Sequence, residues 1–117
     1  MRPFGRHGFE VSPLGFGGSE IGFRGIDPSV VGDLLNAALD AGLNVIDTAE
    51  CYRDSEEKIG ETVAHRRNDF FLFTKCGHNG ADLGGEDWHP DVLRRSIDRS
   101  LTRLRTDRVD LVQLHSC

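Results

Sequence analysis

Residues 43–75, LNVIDTAECYRDSEEKIGETVAHRRNDFFLFTK, decide how this chain is read. The stretch opens on Leu43-Asn44-Val45-Ile46, a short apolar piece that spaces as a strand. It closes on Phe70-Phe71-Leu72-Phe73-Thr74, a near-continuous apolar run of the kind expected where both faces of a strand are covered. Between them, Asp54 and Glu57 stand at capping-box spacing, with Ser55 an equally good cap, and open a helix through Ile59 and Val63. Strand, amphipathic helix and strand in succession form a βαβ unit, whose strands run parallel with a right-handed crossover.

Working outward, the unit repeats. On the N-terminal side Asp27 and Pro28 mark a helix start, as N-cap and first helical residue. Val30, Val31, Leu34, Leu35 and Ala38 follow at helical spacing, and Gly42 supplies the stop. Leu14 to Gly17 is expected to be a first short strand, and residues 1–12, broken by Gly5 and Gly8, a small hairpin. On the C-terminal side a glycine-rich loop over 77–89 leads to Pro90. A helix follows, with Leu93, Ile97, Leu101 and Leu104 as its apolar stripe and Asp91, Arg94, Asp98 and Arg99 off it. Val109 to Leu114 is the last predicted strand. The order is a hairpin and then βαβαβαβ, one partial domain over residues 1–117. Alternation alone does not separate a barrel from an open doubly wound sheet. A dinucleotide-binding start of the Gly-x-Gly-x-x-Gly type is absent, because Gly15-Phe16-Gly17-Gly18 does not match it.

Composition narrows the class. Hydrophobic residues make up 38% and charged residues 28%, as in ordinary globular proteins. The formal charge of −5 argues against a nucleic-acid partner. No apolar run reaches the roughly 20 residues that span a bilayer, and the N-terminus lacks the apolar segment of a secretory signal. Three cysteines without CxxC spacing (Cys51, Cys76 and Cys117) are read as reduced thiols, and the chain as cytoplasmic and free of membrane.

In parallel α/β folds the working residues sit at the C-terminal ends of strands. Here the second strand ends at Asp47 with Tyr52 just beyond, the third at Lys75 and the fourth at His115. A free phenol, with a pKa of about 10, is a poor acid near neutrality, and a neighbouring ammonium favours its ionised form. A carboxylate keeps such an ammonium charged, and an imidazole can hydrogen-bond a reacting carbonyl oxygen. Together they make a tuned phenol that protonates an oxygen while something else attacks the carbon. None of the four can donate hydride, so a cofactor is implied.

Gly42 to Tyr52, then Asp54-Ser55-Glu56-Glu57-Lys58-Ile59-Gly60, closely resembles the signature of the aldo-keto reductases. So do Thr74-Lys75, the helix Arg94 to Leu101, and Asp107 to His115, in the same order along the whole chain. The resemblance implies the N-terminal half of a (β/α)8 TIM barrel with a short N-terminal β-hairpin, in a protein that reduces aldehydes or ketones with NADPH. It implies Tyr52 as general acid, Lys75 and Asp47 as its tuning pair and His115 as the substrate-orienting partner. Asp47, Gly18 and Ser19 would contact the cofactor. Many relatives carry a large residue where Ser19 stands. Most cofactor contacts in the family lie on later strands, so this chain is expected to be an inactive fragment that self-associates through exposed sheet edges.

Each residue alone has a plainer reading. Asp47 could cap a turn, Tyr52 could be a half-buried aromatic, and His115 a surface histidine. Lys75 is harder to dismiss, because a lysine directly after Phe-Phe-Leu-Phe-Thr is an expensive neighbour for a core. Cys51, Cys76, His78, His115 and Cys117 match no zinc spacing, so no metal is expected. A non-catalytic, nicotinamide-sensing subunit of the same fold is the alternative function. A small open sheet of unrelated function is a weaker third.

Overall fold

The computed structural model describes residues 2–3, 10–12, 14–19, 26–49, 51–52, 54–76 and 89–114. Strands β1 (Arg2–Pro3) and β2 (Glu10–Val11) pair antiparallel, with Arg2 opposite Val11, so the expected hairpin is present. Asn44, the residue before Val45, fastens this hairpin to the body of the fold. The Ser12 amide donates to Asn44 Oδ1 at 2.7 Å, the Asn44 amide to Ser12 Oγ at 3.1 Å, and Asn44 Nδ2 to the Glu10 carbonyl at 3.1 Å.

Strands β3 (Phe16–Gly17), β4 (Val45–Asp47), β5 (Phe71–Cys76) and β6 (Leu111–Leu114) form one sheet in chain order. All three pairings are parallel, with Ile46 opposite Leu72 and Lys75 opposite Gln113. Helices α1 (Pro28–Asp40), α2 (Ser55–Val63) and α3 (Pro90–Leu104) connect successive strands, and a 3₁₀ turn over Ala64–Asp69 joins α2 to β5. Among the described residues no helix is long and apolar enough to cross a membrane.

Side chains alternate across a strand, which sorts this sheet into two faces. Ile46 and Leu72 join Val31, Leu35, Leu39, Ile59, Val63, Phe70 and Leu104 in the apolar layer between sheet and helices. Asp47, Phe73 and Lys75 belong to the opposite face by the same alternation.

Helix α1 begins as its sequence requires. Asp27 accepts from the Ser29 amide and the Ser29 hydroxyl, both at 2.8 Å, and Pro28 occupies the first turn. The helix ends before Gly42, whose φ of +98° is a left-handed conformation that glycine adopts without strain. Its buried stripe is narrower than the spacing suggested: Val31, Leu35 and Leu39 are inside, whereas Val30 and Leu34 are about half exposed.

Two sequence expectations fail locally. Helix α2 has no side-chain cap. Asp54 instead pairs with Lys58 at 3.3 Å, and Glu57 faces Arg103 at 3.6 Å, so neither residue of the capping-box pattern closes on the helix end. On α3 the fully buried positions are Val92, Ser96, Ser100 and Leu104, while Leu93, Ile97 and Leu101 are half-buried. The reason is distance. Helices α2 and α3 approach so closely at Gly60 that an added Cβ would run into the Arg103 carbonyl oxygen and stand 2.9 Å from Leu104 Cα. Two serines therefore sit between Val92 and Leu104 on the inner face, and Leu93, Ile97 and Leu101 sit at its margin.

The far end of the sheet carries a partly buried ion pair that the sequence did not reveal. Arg67 Nη2 meets Asp110 Oδ2 at 2.8 Å, and the same oxygen accepts from the Leu72 amide at 2.8 Å. Arg67 also donates to the carbonyls of Phe70 and Arg108. One guanidinium thus ties the 3₁₀ turn, the start of β5 and the approach to β6 together.

Gly60→Ala is expected to lower stability by about 1–3 kcal/mol through overpacking, read as a lower urea midpoint. At an open helical site the same change would stabilise by up to about 1 kcal/mol, so an unchanged or raised midpoint contradicts this packing. A second expectation concerns acid. The Ser29 amide, then its hydroxyl, hold the Asp27 carboxyl below its ordinary value. The cap's contribution is therefore complete above the usual carboxylate range and is lost as pH falls through the lowered value. Asp27→Asn, which accepts the same bonds without titrating, should flatten the acid limb of the stability profile. An unaltered acid limb would show that the cap does not contribute.

Candidate active site

The site grows from the exit end of β4. Asp47 closes that strand, and its backbone carbonyl accepts from the Gly18 amide at 2.7 Å, which brings the turn after β3 alongside. The next amide, of Thr48, donates to the Phe73 carbonyl at 2.8 Å and extends the β4–β5 pairing one residue past the strand. The chain then turns, with the Tyr52 amide donating to the Ala49 carbonyl at 3.1 Å and the Ser55 amide to the Tyr52 carbonyl at 3.0 Å. Tyr52 is thereby held on a short bridge between β4 and the first turn of α2.

Lys75 arrives from β5. Its Nζ lies 2.8 Å from Asp47 Oδ1 and 3.0 Å from the Thr48 carbonyl oxygen. The same ammonium stands 5.4 Å from the centroid of the Tyr52 ring, within cation–π range. The Lys75 side chain is 14% exposed and that of Asp47 42%. The arrangement puts a screened cation between a carboxylate that faces outward and a phenol ring.

Three of the four residues expected to converge, Asp47, Tyr52 and Lys75, do so. His115 lies outside the described residues. So do His78, Trp88, Cys117 and residues 77–88 of the glycine-rich loop. Gly18, whose amide donates to the Asp47 carbonyl, is buried and Ser19 half-buried just beyond β3, where the cofactor turn was expected. Cys76 is buried and forms no disulfide.

Sequence reasoning missed the residues directly behind this rim. Thr48 is fully buried, and its hydroxyl lies 2.7 Å from that of Ser55. Buried Glu56 accepts from Thr74 Oγ1 at 2.7 Å, with Arg103 at 3.8 Å from its other oxygen. A threonine directly after a strand-ending aspartate, with a serine at the start of the next helix, was the available signal for the first pair. The glutamate enters the sequence reading only within the stretch that resembles the family signature, and nothing in its spacing signals burial.

A surface depression of about 580 Å³ lies elsewhere. Arg67, Asn68, Thr106 and Arg108 line it at the N-terminal ends of the strands. In barrels that face serves stability and the C-terminal face serves chemistry, so the Asp47–Lys75 rim is the candidate site.

Residues 13–117 match the aldo/keto reductase family. The chain belongs to that family. It is 35% identical over 120 residues to the uncharacterized oxidoreductase YqkF of Bacillus subtilis, an alignment covering 97% of this chain and 38% of the relative. A Pseudomonas aeruginosa protein classed with the aldo-keto reductases superposes with a TM-score of 0.88 at 41% identity, over 98% of this chain and 45% of that one. A Klebsiella pneumoniae aldo/keto reductase, solved with NADP and acetate, gives a TM-score of 0.76 at 32% identity, over 90% of this chain and 35% of that one. The chain therefore spans between a third and a half of the length of these relatives. The four parallel strands and three helices described above correspond to the N-terminal half of the family's barrel.

Proposed function

We propose that Asp47, Tyr52 and Lys75 form the proton-donating wall of an NADPH-dependent reductase of aldehydes or ketones. The observation that carries this reading is the position of the Lys75 ammonium, bound to Asp47 and facing the Tyr52 ring. An ammonium beside a phenol stabilises negative charge as it develops on the phenolic oxygen. Tyr52 gives its hydroxyl proton to the substrate oxygen and is reprotonated from water. Asp47 holds the lysine in place while this happens.

The residues present fit a nicotinamide cofactor. The Asp47 carboxylate spends Oδ1 on Lys75 and keeps Oδ2 as an acceptor that a ribose hydroxyl can use. Ser19 stands half-buried on the adjoining turn with a hydroxyl to offer. When bound, NADPH supplies the hydride that these side chains lack. His115 is the proposed orienting group for the substrate carbonyl. Covering only part of each relative's length, the 117-residue chain is proposed to be inactive by itself.

The test joins residues 1–117 to the remaining sequence of the Pseudomonas aeruginosa relative. The chimera should oxidise NADPH in the presence of an aldehyde panel, and the isolated chain should not. Tyr52→Phe in the chimera should lower kcat by about 10²–10⁴-fold, the usual worth of a positioned general acid. Undiminished turnover by the Tyr52→Phe chimera removes the assignment.

A further inference from the structure

We infer that Thr48 is a positioning residue for the Lys75 ammonium, acting through its backbone carbonyl and held in register by its hydroxyl. The inference deepens the proposed function and rests on Lys75 being the cation that serves Tyr52.

Lys75 has two acceptors among the described residues, and they behave differently. Asp47 supplies charge from a side-chain carboxylate, at 2.8 Å, whose position depends on its own rotamer. The Thr48 carbonyl is part of the main chain, at 3.0 Å, and cannot swing away unless the peptide does. A point charge with three donors and one mobile acceptor would wander around that acceptor. A second, fixed acceptor defines a direction, and here the ammonium also lies 5.4 Å from the Tyr52 ring.

What fixes the Thr48 peptide is visible from three sides. Its amide is spent on the Phe73 carbonyl at 2.8 Å. Its hydroxyl is 2.7 Å from Ser55 Oγ, which anchors it to the first residue of α2. Both hydroxyls press against Gly18, where an added Cβ would stand 2.6 Å from Ser55 Oγ and 2.9 Å from Thr48 Oγ1. Thr48 and Ser55 are both completely buried, so no water replaces either partner. The glycine read from the sequence as a cofactor contact thus has a second duty, leaving room for the hydroxyl pair. The chain of dependence runs from Gly18, through the Thr48–Ser55 pair, to the carbonyl that aims Lys75.

The chain contains only two lysines, Lys58 and Lys75. Nitrogen-15 NMR of the lysine ammonium groups therefore reads Lys75 directly, with Lys58 as an internal control. Thr48→Val keeps the shape of the side chain and removes the hydroxyl. It should speed proton exchange of the Lys75 ammonium about fivefold, the equivalent of one net hydrogen bond, and leave Lys58 unchanged. Thr48→Ser should restore the slow exchange, which a purely space-filling role would not do. Ser55→Ala removes the same pair from the helix side and serves if the valine variant does not fold. Unchanged Lys75 exchange in a folded variant, or no restoration by serine, overturns the inference. Because the readout is the ammonium and not turnover, a chimera that fails to reduce carbonyls would sink the acid chemistry and leave this result intact.

Discussion

A charged amine at the end of a buried apolar strand has to be neutralised, and much of this structure depends on how that is done. Strand β5 runs through buried Leu72, Phe73 and Thr74 before reaching Lys75. Removing an ammonium from water without a partner costs several kcal/mol even after relaxation. The neighbouring strand supplies the partner, because parallel pairing sets Asp47 beside Phe73, two residues short of Lys75, within reach of a long side chain. The register that forms the sheet therefore also forms the ion pair, and a slip of one residue would turn Asp47 to the helix layer.

The helix layer holds that register from behind. Close approach at Gly60 draws α3 onto α2, and the serines of α3 take up the space that larger side chains would need. At the opposite end of the strands, Arg67 and Asp110 bind the backbone of β5 and the segment leading to β6. Stability and chemistry are thus divided between the two ends of the same strands. One end is sealed by an ion pair that serves backbone groups, and the other keeps an ion pair facing outward with a phenol beside it.

Most of the architecture was legible because it depends on period and punctuation. Apolar runs of strand length, Asp27-Pro28 and Gly42 each signal through local chemistry, and each helix and strand falls where they point. The rim residues were legible for a related reason: polar groups at the ends of apolar strands are conspicuous. What stayed hidden depends on distance between elements. The inner face of α3 is small because α2 is near, which periodicity cannot report. Asp54 and Glu57 have better partners in Lys58 and Arg103 than in their own helix end. Arg67 and Asp110 are 43 residues apart, and only the folded chain brings them together. Thr48 lay hidden between two conspicuous neighbours, since its contribution is a backbone carbonyl that any residue would carry.

The central claim is that Asp47 and Lys75 act as one unit. A double-mutant cycle measures this most directly, using urea unfolding of Asp47→Asn, Lys75→Met and the combined variant. Residues in one ion-pair network couple by about 0.5–3 kcal/mol, and a coupling in that range is the result expected here. Additive losses, with no coupling beyond error, would mean that the two charges do not depend on each other, and the site would lose its foundation.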